Sequence, residues 1–206
     1  MSTRQHWDDV YTTKAPEAVS WYRPHVEQSL SWVDDLSLPN SAHIVDIGGG
    51  ASTFVDDLLE RDFESVSVAD ISAQALEHSK QRLGRRAGQV RWVVGDVTEP
   101  LFSPESVDLW HDRAVFHFLT SSSQQEAYRA QVSRCVRPGG FVIIATFAPD
   151  GPERCSGLQV ARYAPQEIAA TMGSGFELLG QALEVHSTPK GSQQAFAYAL
   201  LRRLPT

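Results

Sequence analysis

From residue 43 onward, short apolar runs alternate with amphipathic segments. His43-Ile44-Val45-Asp46-Ile47 is a β-branched run and predicts a first strand. Three glycines follow it, and residues 53–59 then carry a helical spacing of apolar positions. Residues 65–70 predict a second strand. Residues 73–87 predict a helix, with Ser72 as its N-cap and Gly88 as its stop. Residues 90–94 predict a third strand that ends at Gly95-Asp96, and residues 106–111 a fourth. A helix over 123–136 is expected to end at Arg137-Pro138-Gly139-Gly140. Residues 141–146 form the fifth and most apolar run. Such alternation predicts a parallel sheet with helices on both faces.

The pattern changes at both ends. After Phe147 comes a polar loop, then a short helix over 165–172. Residues 176–180 and 194–201 read as two strands joined through Thr188-Pro189-Lys190-Gly191, hence antiparallel. The expected fold is a doubly wound α/β, Rossmann-like sheet of seven strands, mostly parallel, with an antiparallel C-terminal hairpin at one edge. Residues 1–40 precede the alternation and are rich in aromatics, at Trp7, Tyr11, Trp21 and Tyr22. Pro24 fits the first turn of an amphipathic helix running to about Leu36. This preamble is either a passive hydrophobic cover or a lid.

Composition narrows the class. A chain of 206 residues with 42% apolar residues suits one domain with a sizeable core. No apolar run approaches the ~18 residues that span a bilayer, and the N-terminus lacks an apolar signal region. No membrane association is expected. Net charge is −7 and the basic residues are scattered, which argues against duplex nucleic acid as a partner. Two cysteines, Cys135 and Cys155, make neither a disulfide framework nor a zinc spacing, so no metal is expected and a reducing cytoplasmic location fits. Oligomeric state is not written in the pattern, and a monomer is the simpler expectation.

Candidate chemistry lies just after each strand, because ligands of open α/β sheets sit outside the carboxyl ends. Gly48, Gly49 and Gly50 form a turn between a strand and a helix N-terminus, where a ligand can approach the backbone. The third glycine of G-x-G-x-x-G is absent. Asp46 precedes the turn, where a carboxylate would repel a pyrophosphate but suit an amine. Asp70 ends the second strand, 24 residues beyond Asp46, and could accept bonds from both ribose hydroxyls of a nucleoside. Asp96 and Val97 follow the third strand, placed for an adenine amino group and ring. Trp110-His111-Asp112-Arg113 follows the fourth. Each acid alone reads as an ordinary capping carboxylate; three at successive strand ends beside a glycine turn do not.

With those residues the sequence resembles the class I S-adenosylmethionine-dependent methyltransferases. Val45-Asp46-Ile47-Gly48-Gly49-Gly50 resembles their first motif, Asp70-Ile71-Ser72 their ribose-binding acidic loop, and Gly95-Asp96-Val97 their adenine loop. Arg137-Pro138-Gly139-Gly140 resembles the turn before their fifth strand. The likeness covers roughly residues 40–147. Trp7-Asp8-x-x-Tyr11 and Trp21-Tyr22 are similar to a subgroup that includes protein lysine methyltransferases, in which the preamble closes over the methionine end of the cofactor.

The resemblance implies S-adenosyl-L-methionine as cofactor and S-adenosyl-L-homocysteine as product. It implies one methyltransferase domain over 1–206, with a helical lid over 1–40, a cofactor core over 41–147, and an acceptor loop and hairpin over 148–206. Cofactor contacts are expected from Trp7, Tyr11, Trp21, Tyr22, Asp46, Gly48, Gly49, Gly50, Asp70, Ile71, Asp96, Val97 and His111. His111 is the candidate general base and Asp112 the candidate group that holds or orients the acceptor, although both could simply complete loop hydrogen bonds. Arg113, His117, Cys155 and Ser156 are the candidate acceptor contacts, with His117 favoured as core or pocket wall. His186 reads as a surface histidine. Three functions stay open: methylation of a small molecule, which is preferred, methylation of protein lysine, and nucleoside binding without catalysis.

Overall fold

The computed structural model describes residues 4–205. Five parallel strands are β1 (His43–Ile47), β2 (Ser65–Asp70), β3 (Val90–Val94), β4 (Val107–Arg113) and β5 (Val136–Phe147). A two-residue pair, β6 (Arg154–Cys155) and β7 (Leu158–Gln159), makes a small separate hairpin. The long strands β8 (Phe176–Ser187) and β9 (Gln193–Arg203) close one edge antiparallel. The seven-stranded order is β3-β2-β1-β4-β5-β9-β8, so the fold is α/β with a mostly parallel sheet and an antiparallel edge hairpin. Among the described residues six α-helices accompany it: α1 (Arg4–Thr13), α2 (Glu27–Asp35), α3 (Phe54–Glu60), α4 (Ala73–Leu83), α5 (Ser122–Cys135) and α6 (Pro165–Met172).

The central strands are buried on both faces, which is why β1, β2 and β4 read as nearly continuous apolar runs. One core packs α2, α3 and α4 against the sheet through Leu30, Phe54, Leu58, Leu76 and Tyr198. The opposite core packs α5 and α6 through Tyr128, Val132, Ile168 and Met172. The chain reverses its winding between β1 and β4, and the carboxyl ends there face the glycine turn.

Several elements differ from the sequence expectation for identifiable reasons. The expected helix from Pro24 starts at Glu27, because Val26 is its N-cap and Pro24 lies outside it. Residues 4–13 form α1, whose buried face is Trp7, Val10 and Tyr11; the spacing is helical but too short to stand out from its polar surroundings. The helix after Ser72 stops at Leu83, where Gly84 takes φ +57 and a 3-10 segment continues to Gln89. Arg137-Pro138-Gly139-Gly140 is not a turn between helix and strand. The strand already starts at Val136, which pairs with Val107, and pairing resumes at Phe141 with Leu109 across a register shift. Gly139, at φ +80, sits inside that irregularity. The last hairpin is also longer than its apolar runs, since β8 is an edge strand whose outward side chains include exposed Leu183 and Val185.

Ser72 joins the lid region to the core. Its Oγ accepts from the Ala75 amide at 3.1 Å, capping α4, and donates to Asp8 of α1 at 2.5 Å. Ser72→Ala should lower stability by about 1 kcal/mol in urea denaturation; an unchanged midpoint would show that the cap contributes nothing.

Candidate active site

Two cavities meet over the carboxyl ends of β1 and β4. The first is lined by Asp70 and Ile71 after β2, by Asp96 and Val97 after β3, and by Ala114, Val115 and Phe118 after β4. The second is lined by Asp46, Gly48, Gly49 and Ser52 at the glycine turn, and by Tyr22, Arg23 and His111. Tyr11, Trp21, Ile47, Gly48 and Arg113 line both, so the two cavities form one bent cleft.

Each glycine is there for a steric reason. Gly48 has φ +66, and a Cβ on it would lie 2.0 Å from Val115 Cγ2. A Cβ on Gly49 would lie 2.1 Å from Asp46 Oδ2. Gly50 lines neither cavity: a Cβ there would strike Ala75 at 2.3 Å, and its amide donates to Asp70 Oδ2 at 3.1 Å. The turn therefore lies flat on two carboxylates and brings bare backbone to the cleft.

Asp46 is buried. Its Oδ1 takes a hydrogen bond from His111 Nδ1 at 2.7 Å, while Oδ2 is buried with no partner among the described residues. A half-satisfied carboxylate of this kind calls for a cation. Asp70 accepts from the Gly50 amide through Oδ2 and from the Ser72 amide, at 2.8 Å, through Oδ1. Each oxygen keeps a lone pair for a hydroxyl. Asp96, at the cavity wall, accepts the Thr98 amide and hydroxyl on Oδ1. These groups could take a diol at Asp70, a ring and amino group at Asp96 and Val97, and an ammonium at Asp46.

The methyltransferase domain family matches over residues 44–140. The chain is similar to mouse (Mus musculus) EEF1A lysine methyltransferase 2, 21% identical over 206 residues that cover 93% of this chain and 77% of the relative. It is also similar to O-methyltransferase cnsE of Penicillium expansum, 28% identical over 157 residues, covering 70% of this chain and 55% of the relative. Among solved structures it resembles 1,6-didemethyltoxoflavin-N1-methyltransferase of Burkholderia thailandensis, with 1,6-didemethyltoxoflavin and S-adenosylhomocysteine bound. That likeness has a TM-score of 0.68 and 21% identity, and covers 98% of this chain and 84% of the other. Residues 44–140 thus match a methyltransferase domain, and the chain has the fold of S-adenosylmethionine-dependent methyltransferases. The cleft fits S-adenosylmethionine, which Asp46, Asp70 and Asp96 would hold and whose sulfonium would supply a methyl group. The orphaned Asp46 oxygen, the bare glycine backbone and the Asp70 acceptor pair fit that molecule.

The other predicted site residues of this methyltransferase fall in three groups. Trp7 lines the first cavity and packs edge-on to Trp21 and Phe118, with ring centroids 5.8 and 5.1 Å away. Tyr11, Trp21 and Tyr22 also line the cleft, so the preamble covers it. Cys155 lines the first cavity, but burial pushes its thiol up to about 12. Arg113 stands at the waist of the cleft.

His111 and Asp112 do not stand free. His111 is 1% exposed; Nδ1 faces Asp46 and Nε2 meets Ser29 Oγ at 2.9 Å, so neither nitrogen is open to take a proton from an acceptor. Asp112 is fully buried and lines neither cavity. It accepts from the amides of Val115 at 2.9 Å and Phe116 at 3.1 Å, and from Tyr128 Oη at 2.8 Å. Those bonds clamp a turn in which Ala114 sits at φ +72, a strained value for a residue with a side chain. The clamp presses Val115 against Gly48. Asp112 thus builds the cleft rather than touching what enters it.

His117 is core, as favoured: its Nδ1 accepts from the Phe147 amide at 3.4 Å, and burial, aided by Arg113, lowers its pKa to about 3. Ser156 lies in the tight β6–β7 turn at φ +50 and lines neither cavity. His186 is corrected from surface to interior, 3% exposed, with Nε2 2.7 Å from the Ser20 carbonyl. Residues that sequence reasoning missed are chiefly Ala114, Val115 and Phe118. Their signal was position alone, immediately beyond the fourth strand.

Desolvation pushes the Asp70 carboxyl up to about 6; the Ser72 and Gly50 amides pull it down without restoring its ordinary value of 3.8. Asp112 is raised to about 6 for the same first cause. Because folded values exceed unfolded ones, both groups make stability fall as pH rises from about 4 to about 6. If ribose hydroxyls donate to the ionised Asp70, cofactor affinity should move the opposite way. S-adenosylhomocysteine should bind more weakly as pH falls below about 6, by up to tenfold per unit. Calorimetry should show proton release on binding near pH 6, lost in Asp70→Asn. A pH-independent affinity would remove Asp70 from the ribose.

Asp112→Ala leaves Tyr128 and two amides without their acceptor. It should cost on the order of 3 kcal/mol in denaturant unfolding, and cofactor affinity should fall with it. Normal stability with lost turnover would return Asp112 to the chemistry.

Proposed function

We propose that the enzyme methylates a small, largely apolar molecule whose nucleophilic atom carries a free lone pair near neutral pH. One observation carries this reading: no side chain of the cleft stands ready as a base for the acceptor. His111 has both nitrogens engaged, Cys155 is held protonated, and burial pushes the Tyr11 hydroxyl well above its ordinary value. Asp46, Asp70 and Asp96 are committed to the cofactor. What remains for an acceptor is an aromatic wall of Trp7, Tyr11, Trp21 and Phe118. Catalysis then consists of aligning the acceptor atom with the methyl group and excluding water. Heteroaromatic nitrogens, thiolates and thioethers meet the requirement; an alcohol does not.

In this reading the chain works as one domain, with residues 1–40 as the lid. A cytoplasmic location is supported by two buried, unpaired cysteines, and no helix among the described residues is long and apolar enough to cross a membrane. A protein lysine acceptor is the second reading, favoured by the likeness to EEF1A lysine methyltransferase 2 over 93% of the chain. A lysine ammonium must lose a proton before attack, which calls for a carboxylate or open water path at the mouth.

The two readings separate in one experiment. Purified enzyme and cofactor with a labelled methyl group are incubated with cell extract split by size. Label is expected among small molecules. Label confined to protein, and located on lysine, would overturn the small-molecule reading.

A further inference from the structure

The two edges of the sheet differ. β3, at one edge, has five residues and is guarded. Arg91 lies over the Phe102 ring, and Trp92 donates to the Ala87 carbonyl at 3.0 Å with the Lys80 ammonium over its ring. β8, at the other edge, has twelve residues and contains neither lysine nor proline. Every second residue of such a strand turns its N–H and C=O away from the neighbouring strand, where nothing in the sheet meets them. A bulge interrupts β8 at Leu178–Gly180, but from Gly180 to Ser187 its pairing with β9 is regular. Its two carboxylates are already matched within the chain, Glu177 to Arg202 at 2.7 Å and Glu184 to Arg23, so neither repels a second strand. Four large apolar side chains stand exposed among the described residues, and three of them, Leu179, Leu183 and Val185, are on β8. Leu183 is 74% exposed and Val185 61%. Both lie on the face where Gln181 meets Gln166 of α6, while Gly180 and Ala182 turn to the α2 side.

We infer that β8 pairs with β8 of a second copy, antiparallel about a two-fold axis through Leu183, so that the protein forms a dimer in place of a monomer. A partner for this edge needs a free strand edge of equal length, an apolar pair on the same face and no unmatched charge. A second copy offers all three, and a two-fold contact closes on itself without leaving a further edge. The register follows from the side chains. With Leu183 opposite its own mate, Val185 stands opposite Gln181 of the other copy, and the two Leu183 and two Val185 side chains form one apolar cluster. Glu184 then stands opposite Ala182. A shift that set Glu184 against Glu184 would place like charges directly across the pair, which is unfavourable. No residue of β8 lines either cavity, and the two-fold reverses one sheet relative to the other. The two clefts therefore open at opposite ends of a continuous sheet and neither is covered. Both copies carry a net charge of −7, so the contact should be weak at low salt and tighten as salt screens the repulsion. A strand pair of this size belongs with transient interfaces, with a dissociation constant on the order of ten micromolar.

Sedimentation velocity on the full chain, from about 1 to about 200 µM, brackets that value. The wild type should pass from monomer to dimer, at lower concentration in 0.5 M than in 0.05 M sodium chloride, about one-third of the Debye length. Leu183→Lys puts a charge on an exposed edge position and should raise the dissociation constant at least about tenfold, with a melting temperature within about 2 °C of the wild type. Oxidation by copper–phenanthroline reads the register, since the native cysteines are buried. Leu183→Cys should give a disulfide-linked dimer, and Gln181→Cys, displaced from its own mate along the strand, should not.

A wild type that stays monomeric at the highest concentration would overturn the inference and leave the edge to a different protein. A dimer that survives L183K unchanged would place the contact on another surface and overturn it as well. Cross-linking through Q181C and not L183C would refute the two-fold through Leu183.

Discussion

A buried hydrogen bond, His111 to Asp46, lies beneath the glycine turn and supports the cleft. It joins the ends of β1 and β4 at 2.7 Å, and His111 passes the connection on to Ser29 of α2. Phe54 lies against the imidazole at 4.0 Å between ring centroids and shuts out water. The pair anchors the carboxylate on which the glycine turn rests. Oδ1 is satisfied by the imidazole, and Oδ2 lies buried beside Gly49 without a partner among the described residues. Breaking the pair would leave an uncompensated ion in the interior, so the fold and the site share one constraint.

Around that centre the structure spends buried polar groups on shape more than on chemistry. Asp112, Tyr128 and Trp110 form a hydrogen-bonded chain inside the α5 side of the sheet. Its result is a strained turn at Ala114 and the contact between Val115 and Gly48 that narrows the cleft. Arg113, one residue later on the opposite face, ties β9 and the preamble to the same strand end. Neighbouring residues of β4 alternate between the two cores, and each is used to hold a different wall. This arrangement suits methyl transfer from a sulfonium, where the leaving group is neutral and most of the work is alignment in a dry site.

Within the preamble, α2 is buried in the main core, while α1 is held by aromatic contacts and a few directed bonds. Trp7 stacks edge-on with Trp21 and Phe118, Asp8 accepts from Ser72, and His78 meets the Tyr11 carbonyl at 2.8 Å.

The amino-acid sequence alone determined the alternation of strands and helices, the glycine turn and the acids at three strand ends. These are local: β-branched runs must be buried strands, and Gly48 at positive φ needs a glycine wherever the turn is placed. The family could be read there because backbone approach and a diol acceptor leave a residue-level signature. What the tertiary structure decided is which way each polar side chain of β4 is used. His111, Asp112 and Arg113 are adjacent and all chemically capable, and no spacing rule says which is enclosed by partners. Only the packing of Ser29, Tyr128 and Tyr198 from distant segments shows that the first two are consumed by the fold and that the third keeps a free nitrogen. His186 illustrates the same limit: a histidine in a polar stretch looks exposed until the Ser20 carbonyl, 166 residues away in sequence, closes over it. Burial and partner choice are long-range properties, set by which segments meet across the sheet and not by the residues on either side.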